Sequence, residues 1–361
     1  MSVAWLMLIS TSLLGVISYY LPKPLNKFNK DNIQTTRFIF AFIMFSIIIV
    51  LTGLRTVYSD TSAYIFSFEN LSLNLEHCFN EYNIFEKKSF FWLSANLFKI
   101  FISQDAGIWL LSVSAVSCLC VFFMLYKYSE DFPLSLFLFI TMGYYSWLMN
   151  GTRQFVSVCL LFLGYHFIVR KKYIVFALIF IIAYLIHDSS IVFIPVLFFI
   201  NIKSPWNKKI LFFISLILLC IFFADSFTDF FIDVTESNKE IAFAGGSSFW
   251  WIAVSIVPCV IAFINRKKIE EFNDKFINFC IVMSIMSTAF YLLSAFTSGI
   301  YIGRIPVFFS VFNMILLPWL IKNCYEGKER AFLYFLCVLA YIYFFSISIS
   351  PYYSKYFPYL Y

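Results

Sequence analysis

Long continuous apolar runs constrain the fold of this chain more than any other feature. Of its 361 residues, 61% are hydrophobic and only 13% are charged, whereas charged residues make up about a quarter of a typical soluble domain. The runs reach the roughly 20 residues that a helix needs to cross a bilayer, without the alternation of outer-membrane strands. The sequence therefore predicts an all-α, polytopic integral membrane protein and excludes a soluble globule.

We predict about 12 transmembrane helices in a single transmembrane domain, residues 1–361, with outer loops at about 55–105 and 225–248. The first run lacks a basic region and a small-residue cleavage site, which favours a retained helix over a signal peptide. The outer loop at 55–105 has apolar residues at helical spacing, which predicts amphipathic helices on the membrane face. The predicted spans are residues 3–20, 37–54, 106–126, 132–149, 152–169, 173–187, 189–202, 208–224, 248–264, 276–297, 303–321 and 331–349.

Basic residues set the orientation of these spans. Most Lys and Arg residues fall in loops on one side of the membrane, including Arg170, Lys171 and Lys172. Loops rich in Lys and Arg stay in the cytoplasm. The sequence therefore predicts that both termini and the two long loops face outward.

Polar side chains gather at the outer ends of the spans. Isolated arginines at these ends suit a bound anion, because a guanidinium offers two parallel donors to a phosphate. The alternative for each arginine alone is that it extends to the membrane interface. The outer polar residues that we assign to diphosphate or substrate binding are Arg55, Asp60, Tyr64, Arg153, Gln154, Tyr301 and Arg304.

A short hairpin places His187 and Asp188 near the outer surface. The chain between Lys172 and Lys203 must cross outward and return, with about 23 Å of helix in each arm against a hydrocarbon core of about 30 Å. The turn is therefore predicted to lie slightly below the surface, where an imidazole beside a carboxylate could accept a proton from a hydroxyl. The alternative is a structural turn in which Asp188 caps the next helix. We assign catalytic roles to His187, Asp188 and Arg153.

At these residues the sequence resembles the EpsG-like family of bacterial polysaccharide polymerases, relatives of the Wzy O-antigen polymerases. The resemblance lies in GLR at 53–55, GTRQ at 151–154, RKK at 170–172 and HDSSI at 187–191, and it continues weakly in GRIPVFF at 303–309. GTRQ followed some thirty residues later by H-x-S is its most specific part. Phe308 departs from the pattern, because such proteins often carry Tyr there.

The resemblance implies a GT-C-like membrane glycosyltransferase of the bacterial inner membrane, with its active site facing the periplasm. Such enzymes polymerise undecaprenyl-diphosphate-linked repeat units into O-antigen, capsular polysaccharide or exopolysaccharide, here by inverting transfer with the diphosphate lipid as leaving group. No cofactor and no metal is expected. The implied partners are the lipid-linked glycans, membrane lipids, a chain-length regulator and a flippase, and no nucleic acid.

Three other functions remain open at this point. A lipid-linked oligosaccharide flippase or other transporter would use the same cations, but transporters place polar groups at the midplane of two similar halves. An outward-facing membrane acyltransferase would also use a histidine. A metal-dependent lipid-sugar transferase is disfavoured, because the acidic pairs at 130–131 and 270–271 are cytoplasmic in the predicted topology.

Overall fold

The computed structural model of the chain describes residues 3–20, 27–81, 89–200, 202–223, 226, 246–297 and 300–349. Every regular element in these ranges is helical, which confirms the all-α prediction. Five of the helices are long and apolar enough to cross a membrane, or up to seven if each of two bent pairs is one span. The chain is thus built as a multi-pass membrane protein, while the count of about 12 spans, the outward termini and the GT-C-like fold remain predictions.

The chain divides into two compact units. The first unit contains Met1–Ile191 and Val338–Tyr361, and the second contains Val192–Cys337. The single transmembrane domain expected from the sequence stays a prediction.

The first unit is built around α9, which packs between α6 and α10, while α6 also packs on α2. Helix α9 is largely buried inside the protein, whereas α2 exposes most of its surface. Its helices are α1 Val3–Tyr19, α2 Lys27–Gly53, α3 Thr61–Glu69, α4 Leu75–Glu81, α5 Ser89–Phe101, α6 Ala106–Tyr128, α7 Phe132–Thr141, α8 Tyr144–Trp147, α9 Thr152–Val169 and α10 Tyr173–Ile186.

The second unit is built around α14, a mostly buried helix that packs against α11, α12, α15, α16 and α17. Its helices are α11 Lys208–Phe222, α12 Phe249–Ile264, α13 Arg266–Phe272, α14 Lys275–Thr297, α15 Ile300–Arg304, α16 Val307–Ser310 and α17 Asn313–Cys324. Helix α18, Gly327–Phe344, follows and continues in a π-helix at Phe345–Ile349.

Three predicted continuous helices are interrupted. The segment predicted at 132–149 breaks between α7 and α8 at Gly143, which has a left-handed φ of 72°. The segment at 303–321 is divided between α15, α16 and α17, with Pro306 at the start of α16, because proline lacks a backbone N–H donor. The segment at 189–202 forms 3₁₀-helices at Asp188–Phe193 and Pro195–Phe199. Since a 3₁₀-helix rises about 2.0 Å per residue, this arm is longer than an α-helix of equal residue count.

The outer loop at 55–105 is helical, as predicted, in its described part. It contains α3, α4 and α5, and α3 and α5 pack against α6 to form an aromatic core. Phe68 stacks on Trp109 with ring centroids 4.8 Å apart, and Trp92 stacks on Trp109 at 6.0 Å. This part of the loop is therefore folded against the first unit. Most of the second outer loop, at 225–245, and the chain after residue 349 lie outside the described residues.

Candidate active site

Arg55 is the centre of a buried polar cluster that joins four parts of the first unit. Only 2% of this side chain is exposed. Its guanidinium donates to the Thr52 carbonyl at 2.8 Å, to Thr61 Oγ1 at 3.1 Å, and to Ser114 Oγ and Thr152 Oγ1 at 3.4 Å each. We call this group the Arg55 clasp. All four acceptors are neutral, and an arginine stays charged in proteins, so the clasp holds a buried positive charge beside the start of α9.

A second contact joins the same two segments of the chain. Asp60 Oδ2 accepts the Gly151 backbone N–H at 3.3 Å, and Asp60 Oδ1 accepts from the Ser59 hydroxyl. Asp60 occupies the N-cap position of α3, yet its side chain makes no capping bond there. The structure therefore brings together the GLR and GTRQ segments, which are about a hundred residues apart in the sequence.

The glycines of these two motifs have different structural roles. Gly53 ends α2 where it touches α6, and a Cβ there would lie 2.8 Å from the Leu111 Cα. Gly151 has a φ of +80°, a left-handed conformation that side chains with a Cβ rarely adopt. Gly53 thus permits the close approach of two helices, and Gly151 permits the turn that starts α9.

Arg153 lies in the first turn of α9 and is partly exposed. In the part of the chain that the structure describes, its guanidinium has no hydrogen-bond or ion-pair partner. The N-cap residue Gly151 supplies no side-chain cap, and the first N–H groups of a helix lack intrahelical acceptors. A free guanidinium and the positive end of a helix dipole therefore lie at the same helix end, which favours an anion.

Ser157 connects this end of α9 to the end of α10. Its hydroxyl lies 3.2 Å from the Arg153 carbonyl and 2.8 Å from the Ala183 carbonyl. The same Ala183 carbonyl accepts the His187 backbone N–H at 3.0 Å and the Ser190 hydroxyl at 3.0 Å. The Ser157–Ala183 hydrogen bond joins the two helices. Arg153 lies one turn from Ser157 on α9, and His187 lies one turn from Ala183 on α10, at the same end of the pair.

His187 caps the end of α10 and is partly exposed, with Asp188 beside it. The Ser189 N–H donates to His187 Nδ1 at 3.3 Å and to Asp188 Oδ1 at 3.0 Å. Asp188 Oδ1 lies 3.7 Å from His187 Nδ1, beyond hydrogen-bond distance. Two tautomers fit these neighbours: Nδ1 accepts from Ser189, or a protonated Nδ1 faces Asp188 and leaves Nε2 able to accept a proton. We call Arg153, His187 and Asp188 the open end of the site.

Tyr64 and Gln154 are buried, unlike the residues of the open end. The Tyr64 ring lies 5.9 Å from the Trp92 ring and 6.1 Å from the Phe91 ring, within the aromatic core. Gln154 is only 3% exposed. Their roles in substrate binding remain predictions.

Sequence reasoning missed two buried polar residues on α5. The Lys99 ammonium donates to the carbonyls of Phe68, Glu69 and Leu71 at 2.6–3.1 Å, which caps the end of α3 next to the aromatic core. Asn96 is fully buried, and neither atom of its amide has a hydrogen-bond partner within the described residues. The only signal for either in the sequence is a polar residue within an apolar helical run.

Tyr301 and Arg304 belong to the second unit, on α15, and both are exposed. The preceding loop is held there, because Ser294 Oγ accepts the Ser247 N–H at 3.0 Å. A Cβ on Gly303 would lie 2.8 Å from Ser294 Oγ, so the glycine permits this packing directly before Arg304. Their contribution to diphosphate binding stays a prediction.

Metal-ligating residues do not cluster in the described part of the chain: no three His, Cys, Asp or Glu side chains come close enough to hold an ion. The proposed absence of a metal requirement is a prediction that only an assay can test. The open end presents a guanidinium, an imidazole and a carboxylate.

Comparison with known proteins identifies a family for this chain. No curated protein and no solved structure matches the chain. The model of the EpsG family matches residues 38–361 and so covers both motifs of the Arg55 clasp, the open end and the whole of the second unit. EpsG-like proteins are membrane proteins similar to the Wzy-type polymerases. The match covers most of the chain, and the chain therefore belongs to the EpsG family.

Proposed function

We propose that the chain is a membrane glycosyltransferase that polymerises oligosaccharide repeat units linked to undecaprenyl diphosphate, on the periplasmic face of the bacterial inner membrane. Membership of the EpsG family supports a polysaccharide polymerase-like function. The carrier lipid, the orientation and the inverting chemistry are parts of this proposal.

One structural observation carries the proposal. Contacts from Arg55 and Asp60 fix the start of α9, and the next side chain, Arg153, is left without a partner in the described residues. The Ser157 contact holds this helix end beside the end of α10, where His187 lies. The helix end proposed to bind an anion and the imidazole proposed to accept a proton therefore lie at the same end of the α9–α10 pair, which supports transfer from a diphosphate to a hydroxyl.

In this proposal each group has a role in the transfer. His187 Nε2 takes the proton of the acceptor sugar hydroxyl, whose oxygen forms the new bond to the anomeric carbon of the donor. The bond from that carbon to the diphosphate oxygen breaks, and the lipid diphosphate leaves with the electron pair. Arg153 and the N-terminal N–H groups of α9 stabilise its growing charge. Asp188 stabilises the imidazolium, because its Oδ1 lies 3.7 Å from Nδ1.

Reconstituted protein supplied with lipid-linked repeat units tests this proposal. We expect Arg153→Ala to lower the polymerisation rate by about 100- to 1,000-fold, the cost of losing one preorganised donor to a developing negative charge. Arg153→Lys should restore little of the rate, because an ammonium lacks the two-pronged geometry. The matched control is Arg266→Ala, which removes an arginine that contacts the Phe263 ring in the second unit. A normal ladder of chain lengths from Arg153→Ala would remove this residue from the site.

A bend in the second unit supports the flippase alternative. Residues Tyr301–Ser310 and Asn313–Cys324 form one apolar pair bent by 46°, and broken helices form the binding sites of many transporters. Asn313, just after the bend, is buried, and its amide has no hydrogen-bond partner in the described part of the chain. Movement of a fluorescent lipid-linked glycan across proteoliposomes, without any polymer, would favour this alternative over the polymerase.

A further inference from the structure

Four basic residues lie at the end of α9 opposite to Arg153. Lys127 is in the last turn of α6, and Arg170, Lys171 and Lys172 form the turn between α9 and α10. All four are exposed. We call them the basic cluster. Because α9 has 18 residues and rises about 1.5 Å per residue, the cluster lies about 27 Å from the start of the helix. It is therefore separate from the site proposed above.

The basic cluster has more positive charge than its surroundings compensate. In the part of the chain that the structure describes, none of its four members forms an ion pair. The nearby carboxylate of Asp131 is bound by the Tyr19 hydroxyl and by the Leu134 N–H. The C-terminal ends of α6 and α9 carry about half a negative charge each. With the carboxylates of Glu130 and Asp131 the negative charge is about −3 against four full positive charges, which leaves an excess of about one positive charge. An excess of this size favours an external anion.

The cations converge on one buried polar pair. The Tyr128 hydroxyl lies 2.6 Å from His166 Nδ1, and His166 is only 4% exposed. Lys127, Arg170 and Lys172 all lie within electrostatic range of this imidazole. The Lys127 ammonium is held over the rings of Phe123 and Tyr128, at 5.3 and 5.8 Å from their centroids. The aromatic contacts and the buried histidine thus hold the Lys127 ammonium close to the cations of the turn between α9 and α10.

Lys171 has a backbone conformation that glycine would adopt more easily. Its φ is +58°, and the Lys171 and Lys172 N–H groups bond to the carbonyls of Ile168 and Phe167 at 2.8 Å each. This is the helix-ending pattern in which glycine is the usual residue at the left-handed position. A lysine there is less favourable for the turn than glycine. Replacing Lys171 by glycine therefore removes the charge without weakening the turn.

The surface next to the basic cluster identifies the class of ligand. Both α6 and α9 qualify as membrane spans, so the cluster lies where two spans end. Large apolar side chains are exposed beside it, among them Phe123, Tyr126, Val169 and Ile174. A phosphate group attached to hydrocarbon chains can contact both the cations and the apolar surface. A free phosphate can contact only the cations. We propose that the basic cluster binds the phosphate headgroup of an anionic membrane phospholipid, whose acyl chains lie along this apolar surface.

Lipid binding to the purified full-length protein tests the proposal. Delipidated protein in mild detergent is titrated with phosphatidylglycerol or with zwitterionic phosphatidylcholine, and bound lipid is counted by native mass spectrometry. Each cation near an anionic lipid surface contributes about fivefold in affinity, so Lys127→Gln/Arg170→Gln should bind phosphatidylglycerol about 20-fold more weakly. Lys171→Gly should lose about fivefold while its turn remains at least as stable. Binding of phosphatidylcholine should not change.

The matched control is Lys208→Gln/Lys209→Gln, which removes two exposed cations from the start of α11 in the second unit. This variant should retain phosphatidylglycerol affinity within about twofold. Equal losses in both double variants, or unchanged affinity in Lys171→Gly, would overturn a specific site. Displacement of the lipid by inorganic phosphate at similar concentration would overturn the lipid assignment, because it would show that the acyl chains add nothing.

Discussion

The Arg55 clasp and the open end of the site are neighbours with opposite properties. In the clasp, a buried guanidinium donates to four neutral groups drawn from four parts of the first unit. At the open end, Arg153 has no partner within the described residues, and His187 has only weak geometry toward Asp188. Each region contains an arginine from a short motif. The sequence alone therefore does not distinguish the buried arginine from the exposed one.

This difference determines which arginine can contribute binding energy to a ligand. An arginine whose donors already bond to the protein contributes to holding helices together, and it has little left to offer a ligand. A partly exposed arginine without a partner costs the fold little and can bind a charge that develops during a reaction. We therefore expect the clasp to determine stability and the open end to determine rate.

Replacing His187 should give the largest effect. A general base contributes roughly 100- to 10,000-fold in rate, so His187→Ala should bind the donor lipid normally but leave single repeat units on it. His187→Gln should behave in the same way if proton transfer is the role of the imidazole. Chain-length ladders from reconstituted protein measure both variants. A normal ladder from His187→Gln would show that the side chain only holds the turn, and it would leave Arg153 as the chemistry of the open end.

Arg55→Met tests most directly whether the clasp, unlike the open end, stabilises the fold. We expect it to lower the free energy of unfolding by about 3 kcal/mol, because the hydroxyls and the carbonyl of the clasp lose a charged donor in a buried site. Arg153→Met should change this free energy by less than about 0.5 kcal/mol, as exposed substitutions usually do. Thermal or denaturant unfolding in detergent, followed by tryptophan fluorescence, provides the measurement. Equal stability of the two variants would contradict the division into clasp and open end.

The helices were predictable from the sequence to a useful degree. The span predicted at 152–169 coincides with α9, Thr152–Val169, because a glycine and a basic triplet bound an apolar run. The arm predicted at 189–202 is 3₁₀-helical instead, since hydropathy carries no information on which hydrogen bonds a short apolar segment forms. The bend within the segment predicted at 303–321 was missed for the same reason, whereas the segment predicted at 248–264 coincides with α12.

The distinction between the two arginines was not predictable. The clasp partners Ser114 and Thr152 lie 59 and 97 residues from Arg55 in the chain. Only the packing of α6 and α9 against α2 brings them together. A motif such as GLR shows that a cation stands at a helix end, and the fold decides whether that cation is buried.

Lys99→Met tests whether the stability of the folded outer loop at 55–105 also depends on a buried cation. The ammonium caps three carbonyls at the end of α3, and methionine keeps the length of the side chain without its donors. We expect a loss of about 1–3 kcal/mol in unfolding free energy, because the buried carbonyls lose a charged donor. The Glu69 and Leu71 amides should also exchange with deuterium faster. Lys171→Met, on an exposed turn, is the control and should have no such effect.

The smallest expected effect is a gain. Asn96 is fully buried on α5, and its amide nitrogen and oxygen have no partner in the described residues. A buried amide without hydrogen bonds costs about 1–3 kcal/mol, and leucine has a similar size without polar atoms. Asn96→Leu should therefore raise the free energy of unfolding by about 1 kcal/mol. If polymerisation continues at the normal rate, the amide is a structural cost of this fold. A more stable protein that has lost activity would instead assign Asn96 to substrate binding, as a polar group kept unpaired for the substrate. Asn96 would then belong with the open end and not with the residues that stabilise the fold.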